Sequence, residues 1–273
     1  MISLKVTFSD GLGGSVFMNT DAEEFLLNDI DANVISIHQM LCGYKGRKKF
    51  FFKDFFDIID KYHFSLSYRE NIVPAELKRA FPKTYFAKYN KESYNILKKD
   101  YNSGDRSNVL MLYALLIYGF NRMLRFNKKG DFNLPVGDVD FNKNTYDALE
   151  DYFNMLDKKH LEWHCMDFRV FLDEIDYKEG DLVYLDPPYL ITFSEYNKLW
   201  NSDTELSLLN LLDELNLRNV KFAISNVTHY KGKVNDIFLN WSHKYNTFSI
   251  KSNYISFNDN TIKKFNEVLV TNF

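Results

Sequence analysis

Apolar and polar residues alternate from Leu4 to Phe8, the period of a half-buried strand, and the alternation breaks at Gly11, Gly13 and Gly14. A second apolar run, Phe25-Leu26-Leu27, stops at Asn28-Asp29, and Asn33 to Met40 reads as a helix. Strand, glycine turn, helix, strand and acidic residue in that order predict the opening of a doubly wound α/β sheet. From Phe50 to about Arg106 the pattern changes: Lys, Phe and Tyr dominate, and Pro74 and Pro82 break helices. Val109 to Phe120 is a strongly apolar helical stretch that belongs in a core, and Asn127 to Pro135 is polar, turn-rich and of hairpin type. The α/β pattern resumes at Tyr146, with helical stretches on either side of a strand near Glu162 to Cys165. Asp181 to Leu185 is a nearly continuous apolar strand, as in a parallel sheet covered on both faces, and it runs straight into Asp186-Pro187-Pro188-Tyr189. Ser202 to Leu217 reads as a helix capped by Ser202, and Val220 to Ser225 and Glu267 to Thr271 as further strands. The pattern divides the chain into a sheet domain, residues 1–44 and 146–273, and a mainly helical insertion, residues 45–145, that carries a β-hairpin.

Composition changes this picture little. The 273 residues suffice for a substantial core, and 45% hydrophobic with 26% charged residues is ordinary for a globular protein. Aromatic content is high at 17%, with 25 Phe and 18 Tyr, and most of these rings are expected in the core. The net charge of −3 speaks mildly against nucleic acid, but phosphate contact needs only a local positive face. Lys45 to Lys49 and Arg122 to Lys129 are candidate faces of that kind. Two cysteines, Cys42 and Cys165, make neither a metal framework nor a disulfide scaffold, so no metal is expected. No apolar stretch has the length of a membrane span and the first residues lack a signal pattern, so a cytoplasmic protein without a membrane partner is expected.

The candidate chemistry sits in the Asp-Pro-Pro-Tyr turn. An exocyclic amino nitrogen on a purine is a poor nucleophile because its lone pair is delocalised into the ring. Two acceptors, one for each amino hydrogen, localise the lone pair; the Asp186 carboxylate and the Pro187 carbonyl suit these roles. Consecutive prolines fix φ and donate nothing, so the carbonyl direction is set. Tyr189 offers a face on which a base rotated out of the duplex stacks. A turn that follows a buried strand lies at the carboxyl edge of the sheet, where open α/β sheets bind ligands. The glycine turn, with Gly13 and Gly14, permits close approach of backbone amides to a cofactor, and Asp29 stands where an acceptor for ribose hydroxyls is needed.

With these residues the sequence resembles the Dam-like, D12-class DNA adenine methyltransferases, and the T-even phage enzymes among them. The resemblance runs through nearly the whole chain: the glycine turn with Leu27 to Ile30, the insertion, Asp181 to Tyr189, Phe222 to Asn226, and Glu267 to Val270. Glycine motif first, recognition region next and catalytic turn last is the α-group order. The more specific stretches are Gly119 to Asn127 with Gly130 to Gly137, and Asp186 to Thr192 followed by Tyr196-Asn197-Lys198. The resemblance implies a Rossmann-like methyltransferase sheet that uses S-adenosylmethionine on an adenine amino group in double-stranded DNA, within a short site such as GATC. It implies Asp186, Pro187 and Tyr189 as catalytic residues, and Gly13, Gly14, Asp29, Asp167, Phe168 and Asp186 around the cofactor. Phe120, Asn121, Arg125, Asn127 and Pro135 would face DNA, with Arg125 reading a base edge or holding a phosphate.

The sequence departs from the family pattern on the cofactor side. The Tyr-or-Trp-x-Gly-x-Lys block expected before the glycine motif is missing, and the motif itself reads Phe8-Ser9-Asp10-Gly11-Leu12-Gly13-Gly14. Tyr44-Lys45-Gly46-Arg47-Lys48 has the form of that block but follows the motif. The residues therefore leave open an active adenine methyltransferase, a non-catalytic DNA-binding or partner protein of the same fold, and a methyltransferase acting on RNA or a side-chain amide. Oligomeric state and biological role, whether restriction-modification, phage protection or regulation, are not written in the residues.

Overall fold

A computed structural model describes residues 3–8, 15–22, 24–69, 73–192, 200–250 and 265–273. Two compact units emerge, Met1–Ala32 with Lys159–Phe273, and Asn33–Lys158. The second unit begins and ends further out than the 45–145 expected of the insertion, because α2 (Ala32–Cys42) and α7 (Lys143–Leu156) belong to it. The buried His38 of α2 lies 3.0 Å from the Tyr152 hydroxyl of α7.

The first unit is built on an eight-stranded sheet in the order β3-β2-β1-β4-β5-β8-β7, with β6 paired to β5. Its strands are β1 (Ser3–Phe8), β2 (Glu24–Asn28), β3 (His160–His164), β4 (Leu182–Asp186), β5 (Lys221–Tyr230), β6 (Lys233–Val234), β7 (Asn246–Ile250) and β8 (Phe265–Thr271). The first five strands of the order run parallel, and β8 enters antiparallel between β5 and β7. This is the mostly parallel sheet that the strand pattern predicts. Val183 and Leu185 of β4 and Phe222 and Ile224 of β5 are buried together with Leu208, Leu212 and Leu215 of α9 (Ser202–Leu217). Burying a Leu- or Phe-sized side chain stabilises by about 1.5–3 kcal/mol, so this layer holds the parallel strands in place.

Several elements differ from the sequence expectation. The cap of α9 is Asn201, whose side-chain oxygen accepts from the Thr204 amide at 3.0 Å; Ser202 is already helical. β5 runs five residues past Ser225, to Tyr230, because β8 pairs with it along that length. Lys231 and Gly232 then both take positive φ, 48° and 80°, the conformation of a tight hairpin turn into β6. The apolar helix α6 (Val109–Ile117) stops before Gly119, and Phe120 starts a separate 3-10 turn.

The second unit is helical and aromatic. Phe51, Phe55, Phe64, Tyr94, Tyr118, Phe141 and Phe153 are each at most 1% exposed, which places much of the Phe and Tyr content in the core as expected. Phe55 packs on Tyr113 edge-on at 5.8 Å, and Phe51 on Phe153 at 5.1 Å, contacts worth roughly 0.5–1.5 kcal/mol each beyond burial. A buried carboxylate, Asp140, accepts from the Ser65 and Ser67 hydroxyls and the Ser67 amide, and the Tyr118 hydroxyl donates to the Ser65 carbonyl at 2.7 Å. Tyr118, which precedes Gly119, is thereby pinned to the core. Among the described residues no helix is long and apolar enough to cross a membrane.

Candidate active site

Strand order reverses between β1 and β4, and the carboxyl ends of these strands form the crevice where open α/β sheets bind ligands. The register pairs Phe8 with Asp186, so the Asp-Pro-Pro-Tyr turn starts beside the end of β1. Gly13 and Gly14 lie outside the described residues, as do Tyr196, Asn197 and Lys198. The other sheet-unit residues singled out in the sequence stand at the ends of three parallel strands: Asp29 after β2, Asp167 and Phe168 after β3, Asp186 at the end of β4.

Asp29 is buried; its Oδ1 accepts from the Asp31 amide at 2.7 Å and its own amide donates to the His164 carbonyl. Asp167 caps α8 (Phe168–Glu174) through the Arg169 amide, and the Arg169 guanidinium grips both of its carboxylate oxygens at 2.7 Å. That grip holds the Asp167 carboxyl below the usual carboxylate range. Asn28, at the end of the second apolar run, has a role that its place in the sequence does not reveal. Its side chain takes the Met166 amide at 3.1 Å and gives to the Met166 carbonyl at 3.0 Å, latching the loop before Asp167 onto β2. The sequence shows only an amide residue at the carboxyl end of a buried strand.

Asp186 is the centre of a second network. Its Oδ1 accepts from the Ser225 hydroxyl at 2.7 Å and lies 3.1 Å from the Tyr189 hydroxyl. The Tyr189 hydroxyl is also 3.2 Å from Glu267 Oε1, so one phenolic proton serves two carboxylates. Ser225 and Glu267 come from neighbouring strands: Leu185 pairs with Ile224, and Val227 with Glu267. Burial pushes the Asp186 carboxyl above its usual range, and the Ser225 and Tyr189 hydrogen bonds pull it back. Burial and the Asp186 charge make the Tyr189 phenol harder still to ionise. Pro187 and Pro188 are buried, and the Thr192 amide and hydroxyl both donate to the Tyr189 carbonyl at 3.0 Å, closing the turn. Ser225 and Glu267 lie in the Phe222–Asn226 and Glu267–Val270 stretches, and no local pattern there points to Asp186 or Tyr189 as a partner.

In the helical unit, Phe120 is 48% exposed, and Asn121 and Arg122 follow with φ of 53° and 52°. Two successive left-handed residues without a glycine are strained, and strain of this kind gathers at working surfaces. Arg122 donates to the Thr145 hydroxyl at 2.9 Å. Arg125 is anchored on Asn133, with Nε to the side-chain oxygen at 2.9 Å and Nη2 to the carbonyl at 2.7 Å. Asn127 organises the turn by accepting from the Lys129 and Asp131 amides. Phe126 pairs antiparallel with Phe132, and the Asn133 amide donates to the Arg125 carbonyl. The exposed Pro135 accepts from the Phe120 amide at 2.9 Å. Phe120 and Pro135 are thus tied by backbone pairing, Asn121 follows Phe120 in the chain, and Arg125 and Asn127 belong to the adjoining turn.

The profile of D12 class N6 adenine-specific DNA methyltransferases matches residues 13–256. The type II methyltransferase M.FokI of Planomicrobium okeanokoites is 36% identical over 211 residues, which cover 74% of this chain and 32% of that protein. The modification methylase StsI of Streptococcus sanguinis is 34% identical over 201 residues, covering 68% of this chain and 30% of that protein. The DNA adenine methylase of Escherichia coli (strain K12) is 26% identical over 223 residues, covering 78% of this chain and 68% of that protein. The matched part therefore spans about a third of the length of the first two relatives and about two thirds of the third.

Proposed function

The chain belongs to the D12 class N6 adenine-specific DNA methyltransferases, and from that membership we propose that it transfers a methyl group from S-adenosylmethionine to the exocyclic nitrogen of an adenine in double-stranded DNA. The observation that carries this reading is Asp186 at the β1/β4 switch point, with Ser225 and Tyr189 bonded to one of its oxygens. The two hydroxyls fix the rotation of the carboxylate, so its acceptor direction is set before substrate arrives. Asp186 takes one amino hydrogen of the adenine, the Pro187 carbonyl takes the other, and the nitrogen lone pair is directed out of the ring plane. The ring of Tyr189 supplies the face for the flipped base while its hydroxyl holds Asp186.

The donor set fits the proposed cofactor. Asp29, Asp167 and Asp186 stand at the ends of three parallel strands of the order β3-β2-β1-β4, and S-adenosylmethionine presents ribose hydroxyls, a ring amino group and two positive centres. Asp29 suits the ribose, Asp167 with Phe168 the adenine ring, and Asp186 the methionine ammonium. When bound, the cofactor supplies a methyl group activated on a sulfonium sulfur. In the helical unit, residues 45–145 serve target recognition, with Phe120, Asn121 and Pro135 against the duplex and Arg125 and Asn127 on the adjoining turn. GATC is the first target to try.

The test is methyl transfer from radiolabelled S-adenosylmethionine to duplexes with and without GATC, followed by digestion to nucleosides. Label in N6-methyladenine is expected; cofactor binding without label in any nucleoside would overturn the reading. A second prediction concerns pH. The Ser225 hydrogen bond lowers the Asp186 proton affinity, so Ser225→Ala raises it further. Because the ionised carboxylate is the better acceptor, the acid limb of the pH–rate profile is expected to move to higher pH. At neutral pH kcat falls about 10-fold, the value of one hydrogen bond of about 1.4 kcal/mol to a charged group. A limb that stays in place would show that Asp186 does not set it.

A further inference from the structure

Glu205 of α9 is 1% exposed, yet it is a carboxylate. Its Oε2 accepts from the Trp200 indole at 2.6 Å, and its Oε1 accepts from the Asn226 side chain at 3.0 Å and the Asn235 side chain at 2.8 Å. An acid in such a place is costly to bury, and packing alone is served by an apolar residue. What the acid adds is direction: three donors are fixed in orientation by one group. Asn226 follows Ser225, which holds Asp186, and Asn235 caps α10 (Asp236–Ser242). Trp200 is the third donor. Its ring meets Phe168, the first residue of α8, with centroids 5.7 Å apart and planes 47° apart. Both rings are half-buried, and both pack against the core under the sheet.

We propose that Trp200 is a positioning residue for the cofactor: keyed by Glu205, its indole is the back wall that sets the face Phe168 turns to the purine ring of S-adenosylmethionine. This rests on the reading of Phe168 as the aromatic residue at that purine. The same carboxylate, through Asn226, braces the strand segment that bears Ser225, so cofactor face and catalytic acid are registered from one buried point.

The test is calorimetric titration of the full chain with S-adenosylhomocysteine, together with tryptophan emission and thermal unfolding. The chain has three Trp, at 163, 200 and 241, so Trp163→Phe and Trp241→Phe serve as controls. Trp200→Phe keeps a ring against Phe168 but loses the indole bond to Glu205; it is expected to weaken binding about 3- to 10-fold, the worth of one hydrogen bond. Glu205→Gln retains an acceptor for the indole and is expected to bind within about 2-fold of the parent, whereas Glu205→Leu does not retain it and follows Trp200→Phe. Binding should change the emission of the parent and of both control variants, and this change should vanish in Trp200→Phe. Parent-like affinity and a parent-like emission change in folded Trp200→Phe would overturn the assignment of Trp200 while leaving the cofactor reading intact. Failure of the parent to bind S-adenosylhomocysteine at millimolar concentration would overturn both.

Discussion

Asp186→Ala is expected to abolish methyl transfer, with a single-turnover rate at least about 10³-fold below the parent, while the chain stays folded. The adenine amino nitrogen reacts only when its lone pair is withdrawn from the ring, and in the proposed mechanism the carboxylate is the charged half of the acceptor pair that does this. Ser225 and Tyr189 converge on Asp186 Oδ1, so the acceptor is preorganised and no reorganisation is needed as the reaction proceeds. Asp186→Asn keeps the shape and one acceptor, but a neutral acceptor is about half as strong, so it should fall between parent and Ala. The Ala variant also deprives the Ser225 and Tyr189 hydroxyls of a partner, although Tyr189 still has Glu267. Two effects on stability oppose each other: a lost hydrogen bond destabilises by about 1–2 kcal/mol, and removal of a buried charge offsets part of it. Thermal unfolding near the parent value with transfer absent assigns the loss to chemistry. An Ala variant with a tenth or more of the parent rate would sink the mechanism.

The parts legible in the sequence were those encoded by contiguous residues. β4 was readable because a buried parallel strand is nearly all apolar, and its end was readable because two prolines cannot continue it. The partners of Asp186 were not, because they are set by sheet order. Ser225 lies 39 residues away and reaches Asp186 only because β5 neighbours β4. Glu267 lies 78 residues from Tyr189 and reaches it only because β8 inserts antiparallel beside β5. β7 gave no signal, since all five of its residues are exposed and an edge strand without a buried face has no apolar period. The cap of α9 was misplaced by one residue because Asn201 and Ser202 are both capping types, and only the extended backbone at Asn201 separates them. Arg169, two residues beyond Asp167 and clamped to it, belongs to the same class of loss: the sequence shows a neighbour, not which side chain it grips.

Gly137→Ala is the second substitution with a large expected effect, and it separates DNA contact from cofactor contact. Gly119 and Gly137 lie back to back where the 118–120 and 135–137 segments pair: the Phe120 amide donates to the Pro135 carbonyl at 2.9 Å and the Gly137 amide to the Tyr118 carbonyl at 2.8 Å. A Cβ at residue 137 would stand 2.5 Å from the Gly119 carbonyl oxygen and 2.8 Å from its carbon. These are backbone atoms, so no rotamer change relieves the clash. The segments must separate, and overpacking of this kind costs about 1–3 kcal/mol. Tyr118 resists on one side, because its hydroxyl is bonded to the Ser65 carbonyl in the core. The displacement therefore passes into Phe120, Asn121 and Pro135, the residues proposed to meet the duplex. Duplex affinity, measured by fluorescence anisotropy at fixed salt, is expected to fall at least about 10-fold, a change of about 1.4 kcal/mol. Titration with S-adenosylhomocysteine should be unchanged, since Asp29, Asp167, Phe168 and Asp186 belong to the other compact unit. Gly104→Ala is the control: its Cβ would meet the nearest atom at 3.4 Å, an ordinary contact, and duplex binding should match the parent. A Gly137→Ala chain that bound duplex as the parent does would mean that the paired segments around Gly119 and Gly137 do not carry the DNA contact.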